Sequence, residues 1–195
     1  MLPREEIKDT KERIRECAIL LFKEHGFDDV TVVQICQAAG VTKRTFYYHY
    51  KSKEELLYGI TGYLGVKAES LLNSLAPQQT NVGILWTLMS FYSINSTDYG
   101  PNIIRQIYVH MVQGKTEEKF PYTMYLYNMV VNTIENAKRA GEISNPLPAE
   151  DIAFALYHSF RSVTITWATE DGAFDLVDAF RRVFDAVLGM KAETK

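Results

Sequence analysis

Residues Thr31–Lys53 read TVVQICQAAGVTKRTFYYHYKSK. The stretch spells two short helices around a tight turn. Thr31 with Gln34 three residues on is a capping-box pattern, and Val32, Ile35, Cys36 and Ala39 follow at helical spacing. Gly40 stops that helix, and Thr42 can cap the next one through its hydroxyl. The short turn AAGVT sets the pair as a helix-turn-helix. No Asp or Glu occurs between Val30 and Lys53, while Lys43, Arg44, Lys51, Lys53 and His49 lie among Thr45, Tyr47, Tyr48 and Tyr50. A surface without carboxylates and rich in such donors suits a phosphate backbone and a base-reading helix in a major groove.

Helical punctuation continues on both sides. Upstream, Asp9 with Glu12 suggests another capping box, followed by Ile14, Ala18, Leu21 and Phe22, and Gly26 ends that helix. Downstream, Ser52 with Glu55 opens a fourth helix expected to run to about Leu75. Breaks are expected at Pro77–Gly83, at Thr97–Asn102 and in a polar connector at Gln113–Pro121. Helices are expected over Ile84–Ile94, Ile103–Val112, Tyr122–Ala140, Glu150–Thr169 and Phe174–Leu188, with turns at NPLP and Glu170–Gly172 and a polar tail MKAETK. No alternating strand pattern and no internal repeat is visible.

The 195 residues are enough for one or two domains, and 47% apolar content supports a sizeable core. The net charge of −3 is unevenly spread. Residues 1–53 carry ten bases against eight acids, and the remainder eleven bases against sixteen acids. A mildly basic head on an acidic body fits a nucleic-acid reader with a separate second function. The charged start MLPREEIKDTKERIRE has no apolar signal core, and no apolar run reaches bilayer length, so a cytoplasmic protein without a membrane partner is expected. Cys17 and Cys36 lack a CxxC spacing and read as reduced small hydrophobes.

The residues assigned to duplex contact are Thr31, Thr42, Lys43, Arg44, Thr45, Tyr47, Tyr48, His49 and Lys53. Arg44 can pair with a guanine in two bonds, whereas Lys43 more often meets phosphate. Lys53 and the start of the fourth helix are expected to clamp a phosphate, and Thr31 to do the same at the second helix. Phe46 is placed inside. A single Tyr or Lys on a short helix is usually solvated surface, and Tyr50 is as well suited to packing as to reading. The weight lies in the combination.

From ECAILLFKEHGFDDVTVVQICQAAGV through TKRTFYYHYKSKEELL, about residues 10–57, the chain resembles the TetR family of transcriptional repressors. Cys36 stands where Ala is usual, Tyr50 where Phe is usual, and Arg44 where a small residue is common. The resemblance implies an all-α fold of about nine helices. It implies an N-terminal three-helix helix-turn-helix domain (residues 1–53) and a C-terminal helical effector-binding and dimerisation domain (54–195, with 54–75 connecting). It also implies a homodimer paired through the last two long helices.

On the penultimate helix the small residues Ala155, Ser159, Ser162 and Thr166 form a stripe beside a bulky one, and with Val177, Phe180 and Phe184 on the last helix they suit a four-helix interface. Ordinary packing within one chain is the competing reading. For an apolar or aromatic effector, the lining candidates are Trp86, Met89, Tyr92, Tyr108, Met111, Tyr125, Met129 and Trp167, with Arg105, His110, Asn128 and His158 as polar anchors. Aromatic stripes at helical spacing are more often core. An effector entering the middle helices is expected to shift the fourth helix and disturb the spacing of two reading helices. The chain has no GxSxG, GxxxxGK[ST] or HExxH and no Cys/His cluster at metal spacing, so no catalytic residue, metal or cofactor is assigned. A constitutive regulator with no small-molecule ligand is the alternative.

Overall fold

Residues 9–74, 79–113 and 124–190 are described by the computed structural model. Among them are nine helices and no strand: α1 (Thr10–His25), α2 (Val32–Ala38), α3 (Lys43–His49), α4 (Lys53–Asn73), α5 (Asn81–Tyr99), α6 (Pro101–Val112), α7 (Met124–Arg139), α8 (Ala149–Thr169) and α9 (Leu176–Leu188). The expected connector Gln113–Pro121 lies outside the described residues except at its first position, as do most of the tail and part of the Pro77–Gly83 break.

Ile14, Ala18 and Phe22 bury one face of α1 against α2 and α4. Asp9 sits at the N-cap, but its carboxylate makes no capping bond, and Glu12 accepts from Arg15 at 3.1 Å instead. The expected box at this end is therefore absent, because Glu12 has a cationic partner one turn ahead. The box at Ser52 is altered too: Glu55 reaches back to the Lys51 N–H.

α4 carries the chain from head to body, packing on α1, α5 and α6. α5 is longer than expected at both ends. At its start Thr80 accepts from the Gly83 N–H at 3.0 Å, and Glu142 accepts from the Val82 N–H and the Asn81 amide, each at 2.8 Å. At its end, Ser93, Asn95 and Thr97 turn their side chains back onto carbonyls four residues earlier, so the polar run is satisfied within the helix. Gly100, at φ +88°, is the sole break before Pro101 opens α6.

α8 packs on α6, α7 and α9, and α5 on α7 and α9. Leu176, Phe180, Phe184 and Leu188 are the buried stripe of α9, which starts at Leu176 because Asp175 caps it through the Asp178 N–H at 2.9 Å. Phe180 and Phe184 are wholly buried. Their rings meet Trp86, and Phe180 also meets Phe160 edge-on at 5.2 Å. Both were expected at an interface between subunits. They belong instead to the core of one chain, because a spacing of four keeps them in line with Leu176 and Leu188.

Candidate nucleic-acid interface and body cavity

The second helix begins with a complete capping box: Gln34 N–H donates to the Thr31 hydroxyl, and Gln34 Oε1 accepts from the Thr31 N–H at 2.8 Å. After Gly40, at φ +61°, the Val41 N–H reaches back to the Cys36 carbonyl at 2.9 Å and closes the turn. Thr42 then caps α3 by accepting from the Thr45 N–H at 3.1 Å. Burial pushes the Cys36 thiol above its ordinary value and keeps it protonated, which fits a packing role.

Two side chains fasten α3 to the head. Phe46 is fully buried, with Tyr47 edge-on at 5.3 Å and Tyr50 tilted at 5.9 Å. The Tyr50 hydroxyl donates to the Lys11 carbonyl at 2.9 Å, and burial pushes the phenol up to about 12. Tyr50 is thus a strut between α3 and α1. The opposite face of α3 is open: Lys43, Arg44, Tyr47 and Tyr48 are exposed there, Tyr48 at 84%. Thr45 and His49 are half-buried at the flanks, and Thr31 and Thr42 are exposed at the two helix starts.

Lys53 departs from expectation. Its ammonium donates to the carbonyls of Phe27 at 2.7 Å, Asp28 at 3.1 Å and Val30 at 3.0 Å, and lies 4.4 Å from the Phe27 ring centroid. An ammonium has three donors, and all three are used. Glu54 and Glu55 follow at once in the first turn of α4, which places carboxylates where a phosphate was expected. Lys53 thus clamps the loop between α1 and α2.

That loop also meets the body. Gln106 on α6 donates to Asp28 Oδ2 at 3.2 Å, the His110 ring stands edge-on to Phe27 at 5.8 Å, and Lys23 pairs with Asp98 at 3.1 Å. His110, expected as a pocket anchor, is a buried residue of this junction, because it lies on the side of α6 that faces the head.

On the other side of α6 is a cavity of about 40 Å³, lined by Ile60 and Leu64 of α4, Tyr92, Ser96 and Tyr99 of α5, Ile104, Ile107, Tyr108 and Met111 of α6, and Phe160 and Thr164 of α8. Of the expected lining, Tyr92, Tyr108 and Met111 are present, and Met89 borders a smaller void of about 10 Å³ with Tyr127 and Tyr157. Trp86 is stacked on Phe180 instead, with Arg181 4.7 Å from its ring. Arg105 donates to the Ala168 carbonyl and Asp171, closing the C-terminal end of α8. Trp167 is buried beside Gly172. Asn128 is exposed, Met129 is half-buried away from the cavity, and the Tyr125 side chain lies outside the described residues. His158 is exposed on the outer face of α8, its ring 4.1 Å from that of Phe154. Ser96, Tyr99 and Thr164 also border the cavity and were missed, since such residues within a helix carry no ligand signature of their own.

That outer face holds Phe154, 60% exposed, with Ala155, Ser159, Ser162 and Thr166, and Val177 and Val183 lie half-buried on α9. Among the described residues no helix is long and apolar enough to cross a membrane.

A helix-turn-helix head with an outward cationic helix, on an all-helical body, defines a DNA-binding regulator. Residues 14–59 match the family model described as bacterial regulatory proteins, tetR family. That match covers the helix-turn-helix head and the first turns of α4. The chain is 26% identical to the putative mycofactocin biosynthesis transcriptional regulator MftR of Mycobacterium tuberculosis, covering 91% of this chain and 89% of that one. It is 20% identical to the fatty acid metabolism regulator protein of Bacillus subtilis, covering 90% and 92%. The fold is shared with Thermus thermophilus FadR in complex with lauroyl-CoA (TM-score 0.62, 19% identity, 95% and 96% covered) and with the SmeT–triclosan complex (TM-score 0.61, 21% identity, 95% and 92% covered).

Proposed function

We propose that the protein is a cytoplasmic homodimeric repressor that holds a two-fold operator and releases it when a small apolar molecule enters the body. The observation that carries the reading is the polarity of α3, with Phe46 and Tyr50 anchored inward and Lys43, Arg44, Tyr47 and Tyr48 facing out. Thr31, Thr42, Thr45 and His49 flank that surface and complete the contact set. Residues 1–53 form the reading unit and 54–195 the unit for effector and dimer. Two copies meet through the outer faces of α8 and α9, which sets the reading helices one helical turn of DNA apart, about 34 Å. Selection of bound sequences from a random duplex pool tests this: a palindromic consensus is expected, and recovery of no consensus overturns it.

The effector part follows from the position of α6, which has the cavity on one side and the α1–α2 loop on the other. Swelling of the cavity presses α6 on Phe27 and Asp28, and Lys53 passes that motion to α4. Gln106→Ala loosens this link. It is expected to leave operator affinity within about threefold while reducing release by cell extract, and undiminished release sinks the lever. Similarity to proteins solved with lauroyl-CoA and triclosan supports an effector. The small size of the cavity favours a second reading, a constitutive regulator, which predicts operator affinity indifferent to every extract.

A further inference from the structure

We propose that Arg13 and Tyr50 are positioning residues that set which sequence α3 reads, by fixing the exits of α2 and α3 onto the opening turns of α1. The proposal rests on the reading that α3 lies in a major groove. α2 and α3 have seven residues each, too few for a helix to hold itself in water, so their orientation depends on tertiary ties. The last turn of α2 carries no basic residue of its own. Its carbonyls are met one by one: Ile35 accepts from the Ala39 N–H and Cys36 from the Val41 N–H, both at 2.9 Å, and Gln37 accepts from the Gly40 N–H at 3.2 Å. The carbonyl of Ala39 itself accepts from Arg13 Nε at 3.1 Å. A guanidinium from α1 thus supplies the cation that the negative end of α2 lacks, at the turn that launches α3.

The second tie is at the far end of α3. Tyr50 is its C-cap and is 3% exposed. Its hydroxyl donates to the Lys11 carbonyl at 2.9 Å, and the Lys11 ammonium stands 5.7 Å from its ring centroid. Lys11 and Arg13 are two residues apart, so one turn of α1 grips the reading helix both ahead of its start and at its end. At 1.5 Å per residue α3 is about 10 Å long, and a tilt of about 10° at one end moves the other by about 2 Å. A two-bond contact between a guanidinium and a base does not survive that displacement, whereas attraction to the phosphate charge does. Loss of either tie therefore reduces discrimination between sequences more than it reduces attraction to DNA.

The test uses the full chain, its selected operator and a scrambled duplex of the same length. Tyr50→Phe removes the hydroxyl alone. Arg13→Met removes the cation and keeps an apolar stem, and Arg13→Lys restores a charged donor. Affinities are measured well below each melting temperature, where the helical spectrum matches that of the parent. Tyr50→Phe and Arg13→Met are each expected to lower the ratio of operator to scrambled affinity by about three- to tenfold, the worth of one hydrogen bond. Affinity for the scrambled duplex and its salt slope are expected to hold. Arg13→Lys is expected to recover most of the ratio, and no recovery overturns the part given to its charge. Lowered melting temperatures with an unchanged ratio make both ties purely structural and overturn the proposal. If Arg13→Met weakens both duplexes alike and flattens the salt slope by about one, Arg13 is a phosphate contact and its positioning role is overturned. A parent that selects no consensus removes the major-groove reading itself, and the proposal with it.

Discussion

Lys43 and Lys53 spend the same ammonium in opposite ways. Lys43 opens α3 with its side chain in solvent, whereas Lys53 has given all three donors to backbone carbonyls. Composition could not separate them, since both belong to one carboxylate-free window. Arg44→Ala is expected to lower operator affinity by about 1–3 kcal/mol and to relax specificity at one base pair, as measured by titration against the selected operator and its single-base variants. An unchanged affinity removes Arg44 from the base contacts. Lys53→Met is expected to lower folding stability by about 1–3 kcal/mol in urea titration, because three carbonyls lose a charged donor. The salt dependence of operator binding should hold; a slope flattened by about one would show that Lys53 touches phosphate after all.

At the scale of the element, α5 shows how a helix is extended by a residue sixty positions away. Glu142 follows the glycine that ends α7 and caps the start of α5. Burial works against its charge, but the Val82 N–H and the Asn81 side chain outweigh it and hold the carboxyl below the ordinary value of 4.5. A carboxyl with a depressed value in the folded protein stabilises it above the ordinary value and loses that contribution as pH falls through the folded one. Glu142→Gln is therefore expected to cost about 0.5–2 kcal/mol near neutrality, with the gap to the parent narrowing below pH 4.5. A gap constant from pH 7 to 3 refutes the cap. The boxes at Thr31 and Thr42 were readable from spacing because both partners lie within one turn. The cap from Glu142 was not, because its partner is distant in the chain.

The whole molecule turns on which aromatics each copy keeps for itself. Phe180 and Phe184 look interfacial in sequence, yet each is sealed within one chain, while Phe154 stands in solvent on the outer face of α8. Phe154→Asp is expected to yield a folded monomer in sedimentation velocity and to lose binding to the palindrome while keeping the parent helical spectrum. Phe180→Ala, by contrast, should cost about 3–5 kcal/mol of stability through the cavity it leaves. A dimeric Phe154→Asp protein places the interface elsewhere.

Local pattern alone determined the all-helical class, the helix-turn-helix and the residues that α3 turns outward, because capping pairs, helix-ending glycines and apolar spacing act over one or two turns. Only the tertiary structure decided that Lys53 is a clamp, that His110 joins head to body, that Arg105 closes α8 and that an apolar cavity lies between α4, α5, α6 and α8. Those roles depend on which faces of distant helices meet, and a side chain's neighbours across a helix interface leave no periodic trace in the sequence around it.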